Sequence, residues 1–165
     1  MKILVIHGPN LNMLGSRKPE IYGTKTLAEI NSLLQKKAGE LGVELESYQS
    51  NHEGYLIDFI QKKAKRAAGI IINPGALTHY GLSLRDALED SYLPIIEFHL
   101  SDIQHREEFR KHSVIAPIAR GQISGQGWQG YIAALETLMA LLSEGDRLAA
   151  ITAQATLYLP GKLFL

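Results

Sequence analysis

Residues 70–79 read Ile70-Ile71-Ile72-Asn73-Pro74-Gly75-Ala76-Leu77-Thr78-His79. A run of three β-branched residues without polar alternation suits a strand buried on both faces, as in a parallel sheet between helices. Asn73-Pro74-Gly75 ends it with turn chemistry. Towards the amino terminus, Leu56 to Ala68 read as an amphipathic helix and Val43 to Tyr48 as a short strand. Thr26 opens a segment in which Leu27, Ile30, Leu34, Ala38 and Leu41 recur at three- and four-residue steps, so one helical face is apolar, and Gly42 closes it. Ile3 to Ile6 repeat the doubly buried pattern and stop at His7-Gly8-Pro9-Asn10. Towards the carboxyl terminus, Ser83 can cap a short helix through Asp90, Ile95 to Leu100 form a fourth strand and Val114 to Ala119 a fifth. Gly121, Gly125, Gly127 and Gly130 then interrupt the chain before a helix over Tyr131 to Ser143. Strands alternating with helices predict an α/β fold: a flavodoxin-like, doubly wound, five-stranded parallel sheet with helices on both faces.

The 165 residues suffice for one core, so residues 1–145 are read as a single domain and 146–165 as a tail. Within that tail, Leu148 to Gly161 carry no charge and lie outside the helical pattern; the stretch is too short for a membrane span. Lys plus Arg equal Asp plus Glu at 17 each, so no net field draws in polyanions, and nucleic acid is not expected as a partner. Absence of cysteine excludes a disulfide framework, thiolate metal ligation and a cysteine nucleophile. It also fits a reducing compartment, and the short apolar start before Asn10 is no secretory leader, so a cytoplasmic location is expected. Lys62, Lys63, Lys65 and Arg66 come late in a helix, where positive charge suits the dipole and faces solvent.

In such sheets ligands bind outside the carboxyl ends of the strands, which directs attention to four strand ends. The loop after the first strand runs through Ser16-Arg17-Lys18-Pro19-Glu20-Ile21-Tyr22-Gly23, long for a βα connection, where about 2–6 residues are usual. Tyrosine, with a reference pKa of ~10, serves as a base near neutrality only beside a cation, which Arg17 could supply. The alternative is a surface loop anchored by an amphipathic tyrosine. Asn73, Gly75 and His79 at the third strand end offer an amide, a close backbone approach and an imidazole for a hydroxylated ligand. Asp86 would share a helical face with His79 if that helix reached back so far.

Glu97 and His99 project to one face of the fourth strand with Ser101, and a carboxylate in an apolar strand is costly unless it is used. Such a Glu would fix the tautomer of His99 and leave its other nitrogen for acid catalysis. A satisfied core pair on an edge strand is the competing reading. Arg106 and Arg110, four residues apart, can point the same way towards an anion, although Glu107 and Glu108 could balance them in solvent, Arg106 more readily than Arg110. No histidine pair has standard ligand spacing, so no metal is expected. The glycines near Trp128 match no nucleotide fingerprint.

Taken together, Gly8-Pro9-Asn10-Leu11-Asn12-Met13-Leu14-Gly15 with Arg17, Pro19, Tyr22 and Gly23, then Ile72-Asn73-Pro74-Gly75-Ala76 with His79, Glu97-Phe98-His99-Leu100-Ser101 and Arg106-Glu107-Glu108-Phe109-Arg110 resemble the type II dehydroquinases. The resemblance spans nearly the whole chain, with the four segments in the family's order. It implies a hydro-lyase that removes water from 3-dehydroquinate by anti elimination through an enolate, in the shikimate pathway, without cofactor or covalent intermediate. It also implies roles: Tyr22 as base, Arg17 holding its phenolate, Asn10 stabilising the enolate, and His99, oriented by Glu97, protonating the departing hydroxyl. Asn73, Leu100 and Ser101 resemble the residues gripping the substrate carboxylate, partly through backbone N–H groups, and His79 and Arg110 those meeting ring hydroxyls, with Gly75 among them. Asp86 resembles a residue reaching a neighbouring subunit's site, and a homododecamer built from trimers is implied. Tyr80-Gly81 and Ala116 depart from the family's usual residues, and the tail after Gly145 has no counterpart. A lid carrying Arg17 and Tyr22 is expected to be poorly ordered without ligand. Two other classes fit the fold, a flavin mononucleotide or phosphate-ligand module and a non-catalytic scaffold.

Overall fold

The computed structural model describes residues 1–157, with side chains for all of these except Pro19 and 146–157. Its five strands are β1 (Lys2–His7), β2 (Glu44–Gln49), β3 (Gly69–Asn73), β4 (Ile95–His99) and β5 (Gly121–Ser124). All pair in parallel, in the order β2-β1-β3-β4-β5. This is the doubly wound, flavodoxin-like order, in which the chain reverses its direction of travel between β1 and β3 and leaves a crevice at their carboxyl ends.

The helices are α1 (Pro19–Tyr22), a single turn, then α2 (Leu27–Leu41), α3 (Glu53–Lys63), α4 (Leu82–Glu89) and α5 (Gln129–Leu157). Alternate residues of the buried strands feed two cores. Ile3, Val5, Ile71, Ile96 and Phe98 pack against Ile30 and Leu34 of α2 and Tyr131, Leu135 and Leu138 of α5. Leu4, Ile6, Ile70, Ile72 and Ile95 pack against Leu56 and Ile60 of α3 and Leu84 and Leu88 of α4. Each such side chain is worth about 1.5–3 kcal/mol on burial, so the sheet's register is set by side chains on both faces. Thr26 caps α2 with a full capping box: its hydroxyl accepts from the Glu29 amide, and Glu29 accepts from the Thr26 amide at 2.7 Å.

Four expectations are corrected. The fifth strand is Gly121–Ser124, not Val114–Ala119: Pro117, which has no amide hydrogen to donate, lies in a 3-10 turn over Ala116–Ile118. β4 therefore lies inside the sheet. Gly81, not Ser83, stands at the N-cap of α4, and His79 sits in a separate 3-10 turn, so Asp86 and His79 share no helix. Arg106 and Arg110 are not on one helix either, since Arg106 is extended between two short 3-10 turns. Finally, α5 continues to Leu157, because residues 148–157 contain neither glycine nor proline to stop it. The rest of the tail lies outside the described residues.

Candidate active site

Two glycines set the floor of the crevice. The Gly8 amide donates to the Asn73 carbonyl at 2.8 Å. A Cβ on Gly8 would lie 2.3 Å from the Pro74 carbonyl oxygen, and Gly75, at φ +59, turns back against the Pro9 carbonyl. Only glycine lets the backbones after β1 and β3 approach so closely. Asn10 then takes a left-handed φ of 67, which asparagine tolerates better than most residues. Its amide donates to Asn51 Oδ1 at 2.8 Å, and Gln49 donates to the same oxygen at 3.1 Å, so β2 also supports this loop.

Beneath the floor lies a buried polar chain that the sequence reading did not single out. His7, paired in register with Asn73, is fully buried. Its Nε2 meets Asn31 Oδ1 at 3.0 Å and its Nδ1 meets the Tyr131 hydroxyl at 2.7 Å. An amide oxygen only accepts, so Nε2 carries the proton and the tyrosine donates to Nδ1. Burial pushes the Tyr131 phenol up and pulls His7 down to about 4, the Asn31 bond opposing the latter only in part. An unfolded histidine takes up its proton near pH 6.5, whereas this one resists until about 4, so its contribution to stability is complete above 6.5 and lost as pH falls towards 4. The free-energy advantage of wild type over His7→Asn is expected to shrink by about 2 kcal/mol between pH 7 and pH 4.5 in denaturant titrations. An equal advantage at both pH values would contradict this state of His7.

A cavity of about 80 Å³ opens above the floor. Asn10, Arg17, Tyr22, Asn73, Gly75, His79, His99, Leu100, Ser101, Arg106 and Arg110 line it, with Pro9, Leu11, Ala76 and Ile103. Eleven of the thirteen residues expected at the site thus meet there. Glu97 lies below His99, and Asp86 stands apart, exposed on α4, 3.8 Å from Arg85 Nη1.

Tyr22 and its cations are arranged differently from expectation. Arg106 Nη2 donates to the Tyr22 hydroxyl at 2.9 Å and to Ser101 Oγ at 2.6 Å. Arg17 lies over the ring instead, 5.3 Å from its centroid. Arg106, read as the more dispensable arginine, is the one bonded to the phenol oxygen. On the opposite wall, Asn73 Oδ1 accepts from the Gly75 amide at 3.1 Å, which leaves its NH₂ as the remaining polar group. His79 Nδ1 donates to the His112 carbonyl at 2.8 Å, which fixes that ring and leaves Nε2 without a partner among the described residues.

Glu97 is fully buried, and His99 Nε2 lies 2.8 Å from its Oε1. Burial opposes its ionisation, but hydrogen bonds from His99, Thr78 and Ser113, together with the histidine's charge, outweigh it and hold the carboxyl below its ordinary range. An ionised carboxylate only accepts, so Nε2 is the protonated nitrogen and Nδ1 is free for chemistry. Thr78, Ser113 and Gln122 escaped the sequence reading. Gln122 pairs with Glu97 across β4 and β5, and misplacing the fifth strand hid that register. Among the described residues no group of three His, Asp or Glu side chains is placed to hold a metal.

The chain matches the family Dehydroquinase class II over residues 1–139. It is 63% identical over 145 residues to the 3-dehydroquinate dehydratase of Roseiflexus castenholzii, covering 88% of this chain and 92% of that protein. It is 54% identical over 145 residues to the one from Halothermothrix orenii, covering 88% and 98%. Among solved structures, the type II dehydroquinase from Butyrivibrio crossotus superposes with a TM-score of 0.81 at 48% identity, over 84% of this chain and 97% of that one. A match across the strand ends that line the cavity and the sheet that carries them leaves one assignment: this chain belongs to the class II dehydroquinase family.

Proposed function

We propose that this chain is a type II 3-dehydroquinate dehydratase, which removes water from 3-dehydroquinate to give 3-dehydroshikimate in the shikimate pathway. One observation carries the reading: a phenol flanked by two guanidinium groups and an imidazole backed by a buried carboxylate open onto the same small cavity. Elimination beside a ketone needs a base at the carbon and an acid at the leaving oxygen, and these two groups supply them.

Tyr22, as phenolate, takes the proton from the carbon next to the ketone, and the C–H electrons pass into an enolate. Arg106 and Arg17 balance the phenolate charge, and the side-chain amide of Asn10 meets the enolate oxygen. The enolate then re-forms the carbonyl, the C–O bond on the far side breaks, and a proton from His99 Nδ1 converts the departing hydroxyl to water. Glu97 balances the imidazolium before that transfer. Asn73, Leu100 and Ser101 grip the substrate carboxylate, and His79 and Arg110 meet the ring hydroxyls. The reaction draws on no cofactor, metal or covalent adduct. Arg17 and Tyr22 ride on a lid that orders over bound substrate and excludes water. Asp86, exposed and away from its own cleft, fits a role in a neighbouring subunit's site within a dodecamer of trimers. A cytoplasmic location accords with a cysteine-free chain whose described helices include none long and apolar enough to cross a membrane.

Incubation with 3-dehydroquinate is expected to produce the ultraviolet absorbance of a conjugated enone, at a rate unchanged by a chelator or by borohydride. Sensitivity to borohydride would point to a Schiff base instead, and sensitivity to chelator to a metal. Absence of any product would return the chain to a binding or scaffold role.

A further inference from the structure

Glu97 accepts from more groups than its partnership with His99 requires. The His99 ring bonds to Oε1 at 2.8 Å. Ser113 Oγ lies 2.8 Å from Oε1 and 3.0 Å from Oε2, Thr78 Oγ1 bonds to Oε1, and Gln122 Nε2 donates to Oε2 at 2.8 Å. The proton directions can be assigned. Ser113 Oγ accepts from the amides of Ile115 at 3.1 Å and Ala116 at 2.9 Å, which occupies both its lone pairs and leaves its one proton for the carboxylate. Thr78, 2.9 Å from that saturated oxygen, must then direct its own proton to Glu97. Three neutral donors, from the turn after β3, the loop before β5 and β5 itself, therefore enclose the anion.

We propose that Thr78, Ser113 and Gln122 are positioning residues that keep Glu97 ionised whether or not His99 carries its second proton. This rests on the elimination proposed above. A buried carboxylate whose only partner was an imidazolium would gain by taking that partner's proton, leaving two neutral groups and no acid for the leaving hydroxyl. Neutral donors stabilise the anion independently of His99, so the mobile proton stays on the imidazole and passes to substrate oxygen. Among the described residues, His99 is the one titratable side chain bonded to Glu97; Arg17, Arg106, Arg110 and His79, with Tyr22, line the cleft that His99 faces. None of the three donors lines that cleft.

Gln122→Met and Thr78→Val remove single donors at nearly constant volume, and Gln122 is exposed on an edge strand, so its replacement spares the core. The expected result for each is a kcat lower by about tenfold with KM unchanged, together with an acid limb of the kcat profile displaced to higher pH. Thr78→Ser, which keeps the hydroxyl, is expected to restore both. The carboxyl carbon of Glu97, followed by nuclear magnetic resonance without substrate, is expected to titrate at higher pH in both donor-removing variants. An unmoved titration in Gln122→Met overturns the proposal, even where Thr78→Val fails to fold. Failure of wild type to turn over 3-dehydroquinate would instead overturn the reaction assignment and leave the titration to decide the carboxylate's support.

Discussion

Tyr22→Phe is expected to lower kcat on 3-dehydroquinate about 10³-fold, within the range for losing a positioned general base. KM is expected to change little. The phenyl ring keeps the face over which Arg17 sits at 5.3 Å and loses only the oxygen to which Arg106 donates at 2.9 Å. The variant also separates base from bystander when substrate is held in deuterium oxide. Deuterium entry at the carbon beside the ketone, corrected for the enzyme-free rate, is expected to disappear along with turnover. Exchange at the wild-type rate would remove Tyr22 from the proton-abstraction step.

His99→Ala is expected to lower kcat by about 10²–10³-fold, and its signature differs from that of the tyrosine variant. Removing the imidazole deletes the proposed acid at the leaving oxygen and leaves the proposed base and its two arginines in place. The first half of the reaction therefore survives, and deuterium is expected to enter substrate faster than enone forms. Loss of exchange in parallel with elimination would mean that the two proton transfers are concerted, or that His99 acts on the carbon instead. The missing ring also takes away one donor to a fully buried carboxylate, while Thr78, Ser113 and Gln122 still bond to it. The variant is accordingly expected to fold.

Much of this architecture was legible in the residues. Doubly apolar runs at Ile3–Ile6 and Ile70–Ile72 report burial on both faces, which a covered parallel sheet supplies, and the strand order follows the doubly wound pattern. Glu97 and His99 stand out because a carboxylate in an apolar strand is costly without use, whereas the long loop alone reads as readily as a surface segment anchored by Tyr22, whose role rests on the family resemblance. What stayed hidden depends on contacts between distant segments. The apolar run Val114–Ala119 looks like a strand by composition, yet Pro117 lies within it and the strand forms in the polar residues that follow. With β5 misplaced, nothing in the sequence sets Gln122 opposite Glu97. Nor does spacing reveal that Arg106, extended between two turns, reaches the phenol oxygen while Arg17 takes the ring face.

The meeting of Gly8 with the Pro74 carbonyl has a bearing on substrate tolerance. Spreading the ends of β1 and β3 would break the Gly8–Asn73 main-chain bond and open a dry seam between two packed backbones. The floor beneath the cavity is therefore rigid, and it holds Asn73 and Gly75 at fixed places in the lining. Room for a bulkier ring is accordingly expected from the loops above that floor, among them the segment that bears Arg17 and Tyr22, and not from the strand ends.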